Sequence, residues 1–340
     1  MSQTPRTALI VYNPSARTSA DPDMWLGSVI HRLCDDSDYV VTVRATRPGM
    51  GSRELVAPGN YDLVVAAGGD GTVRAVVQAL LDCALDVPLG IIPVGTGNQL
   101  ARNLGFYEEN LLSDPIEDAV KVLLEGVPRR IDVGRMNGHA FVVAAGAGPM
   151  SDAVIMPGRQ EKTQWKMLAY AASLIQTIGM PPVVFRVTTG GAEFEVTASG
   201  LFVTNVGYLG GTLSETAELD DGALDLCILN PQSFADYLEL GFRFAGGLYG
   251  GQAPYYIRKV KDLMVEVVPR PTDSILRRMG RRVWSWMSGR SPARRHPQEV
   301  IAMVDGDACG TTPMRIDVIP RAVGILVPRS SEDHIRDHEP

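Results

Sequence analysis

The run Tyr61-Asp62-Leu63-Val64-Val65-Ala66-Ala67 passes directly into Gly68-Gly69-Asp70-Gly71-Thr72, and Val73, Val76, Val77, Leu80 and Leu81 follow at helical spacing. A continuous apolar run of this kind suits a strand buried on both faces, which constrains the chain to a parallel sheet covered by helices. Leu89-Gly90-Ile91-Ile92 is the next strand, and it leads into Pro93-Val94-Gly95-Thr96-Gly97-Asn98. Two glycine-dense turns thus lie one βαβ unit apart at strand C-terminal ends, the side on which open α/β sheets place their ligands. Glycines take positive φ and let backbone N–H groups converge on an anion. The helix after Thr72 adds its positive end to the same place. A structural turn without ligand is the alternative for either loop alone, whereas the pair points to phosphate.

The organisation around these turns changes along the chain. Thr7 to Tyr12, Tyr39 to Arg44, Leu63 to Ala67 and Leu89 to Ile92 are strand-like and alternate with helical stretches, and Ile116 to Leu124 is helical as well. Alternation gives a parallel sheet with helices on its faces. From Ile131 the strands crowd together, as in Ala140 to Ala144, Val183 to Thr189, Phe194 to Thr197 and Leu201 to Asn205, with a hairpin signal at Thr189-Gly190-Gly191. That spacing predicts antiparallel structure.

The two turns, with Gln99 to Gly105 following, closely resemble those of the diacylglycerol kinase catalytic domain family, which includes bacterial lipid kinases and the sphingosine and ceramide kinases. Val11-Tyr12-Asn13-Pro14-Ser15 is similar to the family's first strand and Asn-Pro turn. Gly210-Gly211 and Ala217 to Asp225 resemble its Gly-rich segment and "DG.L" motif, Val304-Asp305-Gly306-Asp307 its "DGE" motif, and Pro320 to Pro328 its closing strand. Three departures stand out. Ala16 and Arg17 follow Ser15 where the family continues to glycine and a basic residue, Arg74 and Ala75 replace a common Asn-Glu, and the last motif ends in Asp307, one methylene short.

The resemblance implies an α/β plus β architecture in two lobes: an N-terminal parallel α/β nucleotide lobe and a C-terminal antiparallel β-sandwich lobe. Its bounds are expected at 1–130, with 308–328 returning to that lobe, and at 131–307. It further implies an ATP- and Mg²⁺-dependent lipid kinase acting on a hydroxyl of diacylglycerol or a related lipid in the cleft between lobes. Asn13, Thr46, Gly68, Gly69, Asp70, Gly71, Thr72, Val73, Arg74, Gly95, Thr96 and Asn98 are expected to contact the nucleotide. Asp305 is the implied general base, with Asp307 orienting it or a water. Asp70 is implied either to hold Mg²⁺ through water or to help deprotonate the lipid. Asp221, with the backbone carbonyls of Glu218 and Ala223, is the implied site of a structural Mg²⁺. Read as bare sequence, Asp305-Gly306 and Asp220-Asp221-Gly222 are also ordinary tight turns, and Asp70 is able to cap its own turn.

Residues 270–299 are not explained by the shared fold. They carry eight arginines against Asp273 and Glu299, together with Trp284 and Trp286. A helix over Ser274 to Met287 puts Ile275, Leu276, Met279, Val283, Trp286 and Met287 on one face, flanked by Arg277, Arg278, Arg281 and Arg282. Such a helix suits the interface of an anionic membrane; an ordinary surface helix or a partner contact is the alternative. Trp165 to Ile178 and Phe234 to Phe244 read as core-packed amphipathic helices, and 329–340 as a disordered tail.

Composition sets the remaining bounds. At 340 residues and 45% hydrophobic the chain is ordinary for a two-domain globular protein. No apolar run approaches the ~18 residues needed to span a bilayer, and no signal-like segment precedes the first strand. Cys34, Cys83, Cys227 and Cys309 match no metal or redox spacing. A net charge of −7 and few aromatics argue against nucleic-acid binding. The expectation is a cytoplasmic enzyme with peripheral membrane association and a lipid substrate; a homodimer stays open. An NAD kinase, which shares a GGDG turn, and a degenerate family member that binds lipid or nucleotide without turnover are the rival readings.

Overall fold

The computed structural model describes residues 5–16, 22–57, 59–106, 114–151, 181–209, 213–231, 233, 236, 255–269 and 299–329. The Gly210-Gly211 pair, nearly all of the basic segment, the helices expected over 165–178 and 234–244 and the expected tail therefore lie outside the described residues.

Four strands open the chain: β1 (Arg6–Tyr12), β2 (Tyr39–Ala45), β3 (Leu63–Gly68) and β4 (Leu89–Pro93). They pair in parallel in the order β2, β1, β3, β4. Every residue of β3 and β4 is buried, which is what their unbroken apolar runs require. The connecting helices are α1 (Pro22–Ser37), α2 (Ser52–Val56), α3 (Asp70–Asp82), α4 (Gln99–Asn103) and α5 (Pro115–Glu125). Asp114 caps α5 by accepting the Ile116 N–H at 2.9 Å, and Pro115 begins the helix where a missing N–H costs nothing.

The following strands are β5 (Val127–Met136), β6 (His139–Phe141), β7 (Ala144–Ala147), β8 (Val183–Thr189), β9 (Ala192–Ala198), β10 (Gly200–Thr204), β11 (Leu224–Leu229), β12 (Tyr255–Val260), β13 (Asp262–Val267), β14 (Ile301–Val304), β15 (Asp307–Thr311) and β16 (Met314–Val327). β16 runs parallel to β4, continuing the first sheet, and pairs antiparallel with β13; β8 and β9 follow beyond. The second sheet has the order β12, β11, β10, β7, β14, β15, all antiparallel. Phe185, Val187, Leu263, Val265, Met314 and Ile316 of the first sheet pack against Ala145, Ala147, Leu201, Val203, Leu226 and Val304 of the second. The architecture is thus the expected α/β plus β.

Two local differences from the sequence reading have physical causes. The strand expected over Ala140 to Ala144 is split: β6 belongs to the first sheet and β7 to the second, with the chain crossing at Val142–Val143. The crossing amides are taken by a side chain, as described below. The closing strand starts earlier than Pro320 and carries an irregularity between Ile319 and Val323. There Pro320 has no N–H, and Arg321 adopts φ 48°. Asp132 lies opposite the irregularity. Its buried carboxylate accepts the Arg321 N–H at 2.7 Å and the Gly222 N–H at 2.6 Å, so one side chain holds β5, β16 and the 220–222 turn together.

Replacing Asp132 leaves those two amides without their acceptor. Asp132→Ala is expected to lower stability by about 3 kcal/mol, read as a shift of the urea midpoint at unchanged slope.

Candidate active site at the glycine turns and the Asp305 hairpin

The two glycine turns touch each other. A Cβ on Gly95 would lie 2.2 Å from the Gly69 Cα, and one on Gly68 would lie 2.2 Å from Thr72 Oγ1. Only glycine permits this approach. Asn98, at φ 48°, locks the second turn: its Oδ1 accepts the Gly95 N–H at 3.0 Å, and its Nδ2 donates to the carbonyls of Pro93 and Gly95 at 2.8 and 2.9 Å. Asp70 joins the turns. Its Oδ1 accepts the Leu100 N–H at 3.2 Å, and its carboxyl is pushed upward by burial, against the hydrogen bonds from Gln99, Leu100, Asn98 and its own amide. Asp70 therefore caps the first turn of α4 besides starting α3.

Asn13 and Thr46 lie on the same C-terminal edge. The Asn13 N–H donates to the Ala67 carbonyl at 3.0 Å, the Thr46 N–H to the Tyr12 carbonyl at 2.8 Å, and Asn13 Oδ1 accepts the Ser15 N–H at 2.9 Å, which forms the Asn-Pro turn. The ends of β1, β2, β3 and β4 thus bring Asn13, Thr46, Gly68 to Thr72 and Gly95 to Asn98 into one row. The Val73 side chain is buried, so it faces the core.

The turn Asp305-Gly306 joins β14 to β15 with φ of 48° and 85°, a two-residue hairpin turn with both central residues left-handed. The Asp305 carboxylate reaches back to the crossing between sheets. Oδ1 accepts the N–H groups of Val143 and Ala144, each at 2.9 Å, and Oδ2 accepts that of Val142 at 3.0 Å. Burial pushes its pKa up to about 6, against those three N–H groups and the Arg74 guanidinium. Asp305 is both a turn residue and a half-buried carboxylate near neutral titration.

Arg74 and Asp307 are joined to each other. Arg74 donates from Nη2 to Asp307 Oδ2 at 2.8 Å and from Nη1 to the Val304 carbonyl at 3.5 Å. Its guanidinium is directed at the hairpin, where its partner Asp307 Oδ2 also lies beside Gly71, and Asp307, expected to orient Asp305 or a water, is paired with Arg74. Gln78, one turn further along α3, accepts the Ala140 N–H at 2.6 Å. α3 thereby runs from the glycine turns to the Asp305 hairpin and β6.

In the 218–225 loop, Asp221 Oδ1 accepts the Ala223 N–H at 3.0 Å, and Oδ2 is ion-paired with Lys259. Lys259 Nζ is also 3.9 Å from Oδ1 of buried Asp225, an oxygen without a hydrogen-bond partner. The other Asp225 oxygen accepts the hydroxyls of Ser214 and Thr216. Two carboxylates therefore converge on one cationic position. Lys259 and Asp225 were not singled out from the sequence, although a buried aspartate after "DG.L" and a lysine on the neighbouring strand are the signal. Among the described residues no group of three or more His, Cys, Asp or Glu side chains forms a metal cluster, and no helix is long and apolar enough to cross a membrane.

The diacylglycerol kinase catalytic domain model matches residues 7–136. A diacylglycerol kinase of Bacillus subtilis (strain 168) is 30% identical over 241 residues, covering 69% of this chain and 77% of that protein. This chain belongs to the diacylglycerol kinase family. A diacylglycerol kinase of Staphylococcus aureus (strain Newman) is 29% identical over 180 residues, 52% of this chain and 55% of that one. The family fold extends over nearly the whole molecule. A Bacillus anthracis str. Sterne structure described as a diacylglycerol kinase superimposes with a TM-score of 0.66 at 18% identity, covering 96% of this chain and 98% of that one. A second from the same strain, assigned provisionally to the same kinases, gives 0.71 at 20% identity, with 96% and 99% covered.

The contact between turns is testable with two neighbouring glycines. Gly95→Ala forces backbone atoms apart and is expected to cost about 2 kcal/mol. At Gly71 the added Cβ meets Asp307 Oδ2 at an ordinary 3.5 Å, so Gly71→Ala is expected to unfold close to wild type by calorimetry and about 3 °C above Gly95→Ala.

Proposed function

We propose that this family member transfers the γ-phosphate of ATP, with Mg²⁺, to a hydroxyl of diacylglycerol or a related membrane lipid. The observation that carries the reading is the path of α3, which begins at the glycine cradle and contacts the hairpin bearing Asp305 through Arg74 and the strand β6 through Gln78. The glycine edge proposed to bind phosphate and the half-buried carboxylate are thereby both tied to one helix, which suits phosphoryl transfer because its catalysis is mostly positioning and charge stabilisation. The relatives named above as diacylglycerol kinases support the lipid as acceptor.

In this reading the N-terminal end of α3 with Gly68 to Thr72 cradles the phosphates, and the Gly95 to Asn98 turn backs it. Asn13 and Thr46, at the ends of β1 and β2, extend the same edge for the rest of the nucleotide. The lipid hydroxyl oxygen forms the new bond to the γ-phosphorus, the bond to the bridging oxygen of ADP breaks, and the hydroxyl proton passes to Asp305. Oδ2 is the accepting atom, because it receives one N–H where Oδ1 receives two. Mg²⁺ supplies charge neutralisation when it is bound. One buried oxygen of Asp225 has no hydrogen-bond partner, and the carboxylate and carbonyl oxygens of the 218–225 loop are of the kind a hard cation takes. Asp221 with the carbonyls of Glu218 and Ala223 would hold one there. The arginine- and tryptophan-rich segment 270–299 supplies the peripheral contact with an anionic cytoplasmic membrane surface.

Transfer of radiolabelled γ-phosphate from ATP into extracted lipid tests the reading, with NAD as a water-soluble control acceptor. Asp305→Asn is expected to lower label in the lipid phase at least ~100-fold while retaining the wild-type far-UV circular dichroism; label in NADP alone would overturn the lipid assignment. With Asp305 at about 6 in the free enzyme, kcat/KM is expected to hold above that pH and to fall about tenfold per unit below it, as the protonated carboxyl loses its capacity to accept. For the loop, Lys259→Met removes the resident ammonium, so added Mg²⁺ is expected to raise the unfolding temperature of that variant more than that of wild type. Equal shifts would remove the cation from this loop.

A further inference from the structure

Two of the three departures from the family pattern touch each other. Arg74 stands where the family commonly has asparagine and Asp307 where it has glutamate, and their side chains form an ion pair at 2.8 Å. The Arg74 side chain is 22% exposed and that of Asp307 60%. The contact is not confined to the charges. Gly71, one turn before Arg74 on the same face of α3, presents only hydrogen to the same carboxylate, since a Cβ there would stand 3.5 Å from Asp307 Oδ2. Arginine's second arm reaches the carbonyl of Val304. The fork therefore grips the hairpin on both sides of Asp305, at the residue before it and at the second residue after it.

That grip matters because of where the hairpin lies. β15 is the edge strand of its sheet, and Asp307, Ala308, Gly310 and Thr311 along it are exposed. Among the described residues the Arg74 fork hydrogen-bonds the Asp305 hairpin directly to the helix that starts at the glycine cradle. We propose that Arg74 and Asp307 are a matched pair, with Arg74 the positioning residue that sets Asp305 against the phosphate-binding end of α3 and not a ligand of the nucleotide. This inference rests on the kinase reading above. An arginine is suited to the task because its planar fork holds two acceptors at fixed separation, whereas a lysine is a point charge. A misplacement of about 1 Å between reacting groups costs on the order of 100-fold in rate.

The test compares Arg74→Ala, Asp307→Ala, the double variant, Arg74→Lys and the exchanged pair Arg74→Asp with Asp307→Arg, in kcat, in KM for ATP and in the pH dependence of kcat. Each alanine variant is expected to lose ~30-fold in kcat with KM for ATP within about twofold, and the double variant to lose little more than the worse single one. Arg74→Lys is expected to keep part of the rate, and the exchanged pair to recover more than either reversal alone. Among the described residues the charged group shown to act on Asp305 is Arg74 from α3, and the 142–144 segment brings only backbone amides; Asp307 and Cys309 of β15 neighbour the same guanidinium. Loss of the guanidinium removes the cation among them, so the acid limb of kcat is expected to move to higher pH in Arg74→Ala, a shift that a merely structural contact would not produce. Unchanged kcat in Arg74→Ala overturns the proposal, as does a raised KM for ATP in that variant with Asp307→Ala silent, which would make Arg74 a nucleotide ligand. If wild type transfers no label to any acceptor, the kinase reading fails, and the pair is then read from unfolding temperatures of the same variants: a double variant less destabilised than the sum of the singles sustains it, and additive shifts overturn it.

Discussion

The Asp305 carboxylate is the fastening on which the relation between the two sheets depends. The chain leaves the first sheet at Phe141 and enters the second at Ala144, and the amides exposed by that crossing find their acceptors on one side chain from a hairpin some 160 positions later. Buried backbone N–H groups must be paired, and a carboxylate with several acceptor sites satisfies three of them at once. The cost is a partly desolvated anion. Burial pushes the carboxyl up while the three amides hold it down, and the balance near 6 leaves a group that is ionised at neutral pH yet weakly enough held to take a proton. The same contact therefore explains the break in the strand, the left-handed turn and the chemistry assigned to the residue.

α3 carries this arrangement to the other end of the site. Its buried face of Val73, Val76, Val77 and Leu80 packs it onto the parallel sheet, and the positions at Gly71, Arg74 and Gln78 meet the second half of the molecule. Positions three and four apart share a helix face, so a short helix is able to address the glycine turn, the Asp305 hairpin and β6 from one side. Relative placement across the site is thus fixed by a helix and not by loops.

The parallel part of the fold was legible because strands buried on both faces read as continuous apolar runs, and Leu63 to Ala67 and Leu89 to Ile92 do so with glycine turns at their ends. The same property hid the break at Val142–Val143: Phe141 to Ala147 is equally apolar, and nothing local shows that its amides are claimed by Asp305. Arg74 and Asp307 were visible only as separate oddities, since a pairing over 233 positions has no local trace. Asp132 was passed over because an aspartate in a strand has no motif; its meaning comes from the irregularity opposite it in β16. Asp221 has a motif of its own and was assigned from it to Mg²⁺, but its ammonium partner Lys259 lies on β12 and became visible only when β11 and β12 were paired.

The two glycine turns also differ in the parts they are able to play. Asp70 already occupies the amides at the start of α4, a helix of five residues whose positive end is thereby neutralised. α3 is 13 residues long, and its N-cap, Gly69, has no side chain to fill the space before its first turn. An anion arriving at the strand edge therefore meets its attraction at α3, while the second turn, pressed to within backbone contact and locked by Asn98, serves as the wall that keeps the first turn in shape. The carboxylate that the sequence offered to Mg²⁺ or to the lipid hydroxyl is in this arrangement the tie that holds the wall in place, and with its pKa raised by burial and its oxygens bonded to four amides it would oppose an anion at this edge less than a free aspartate would.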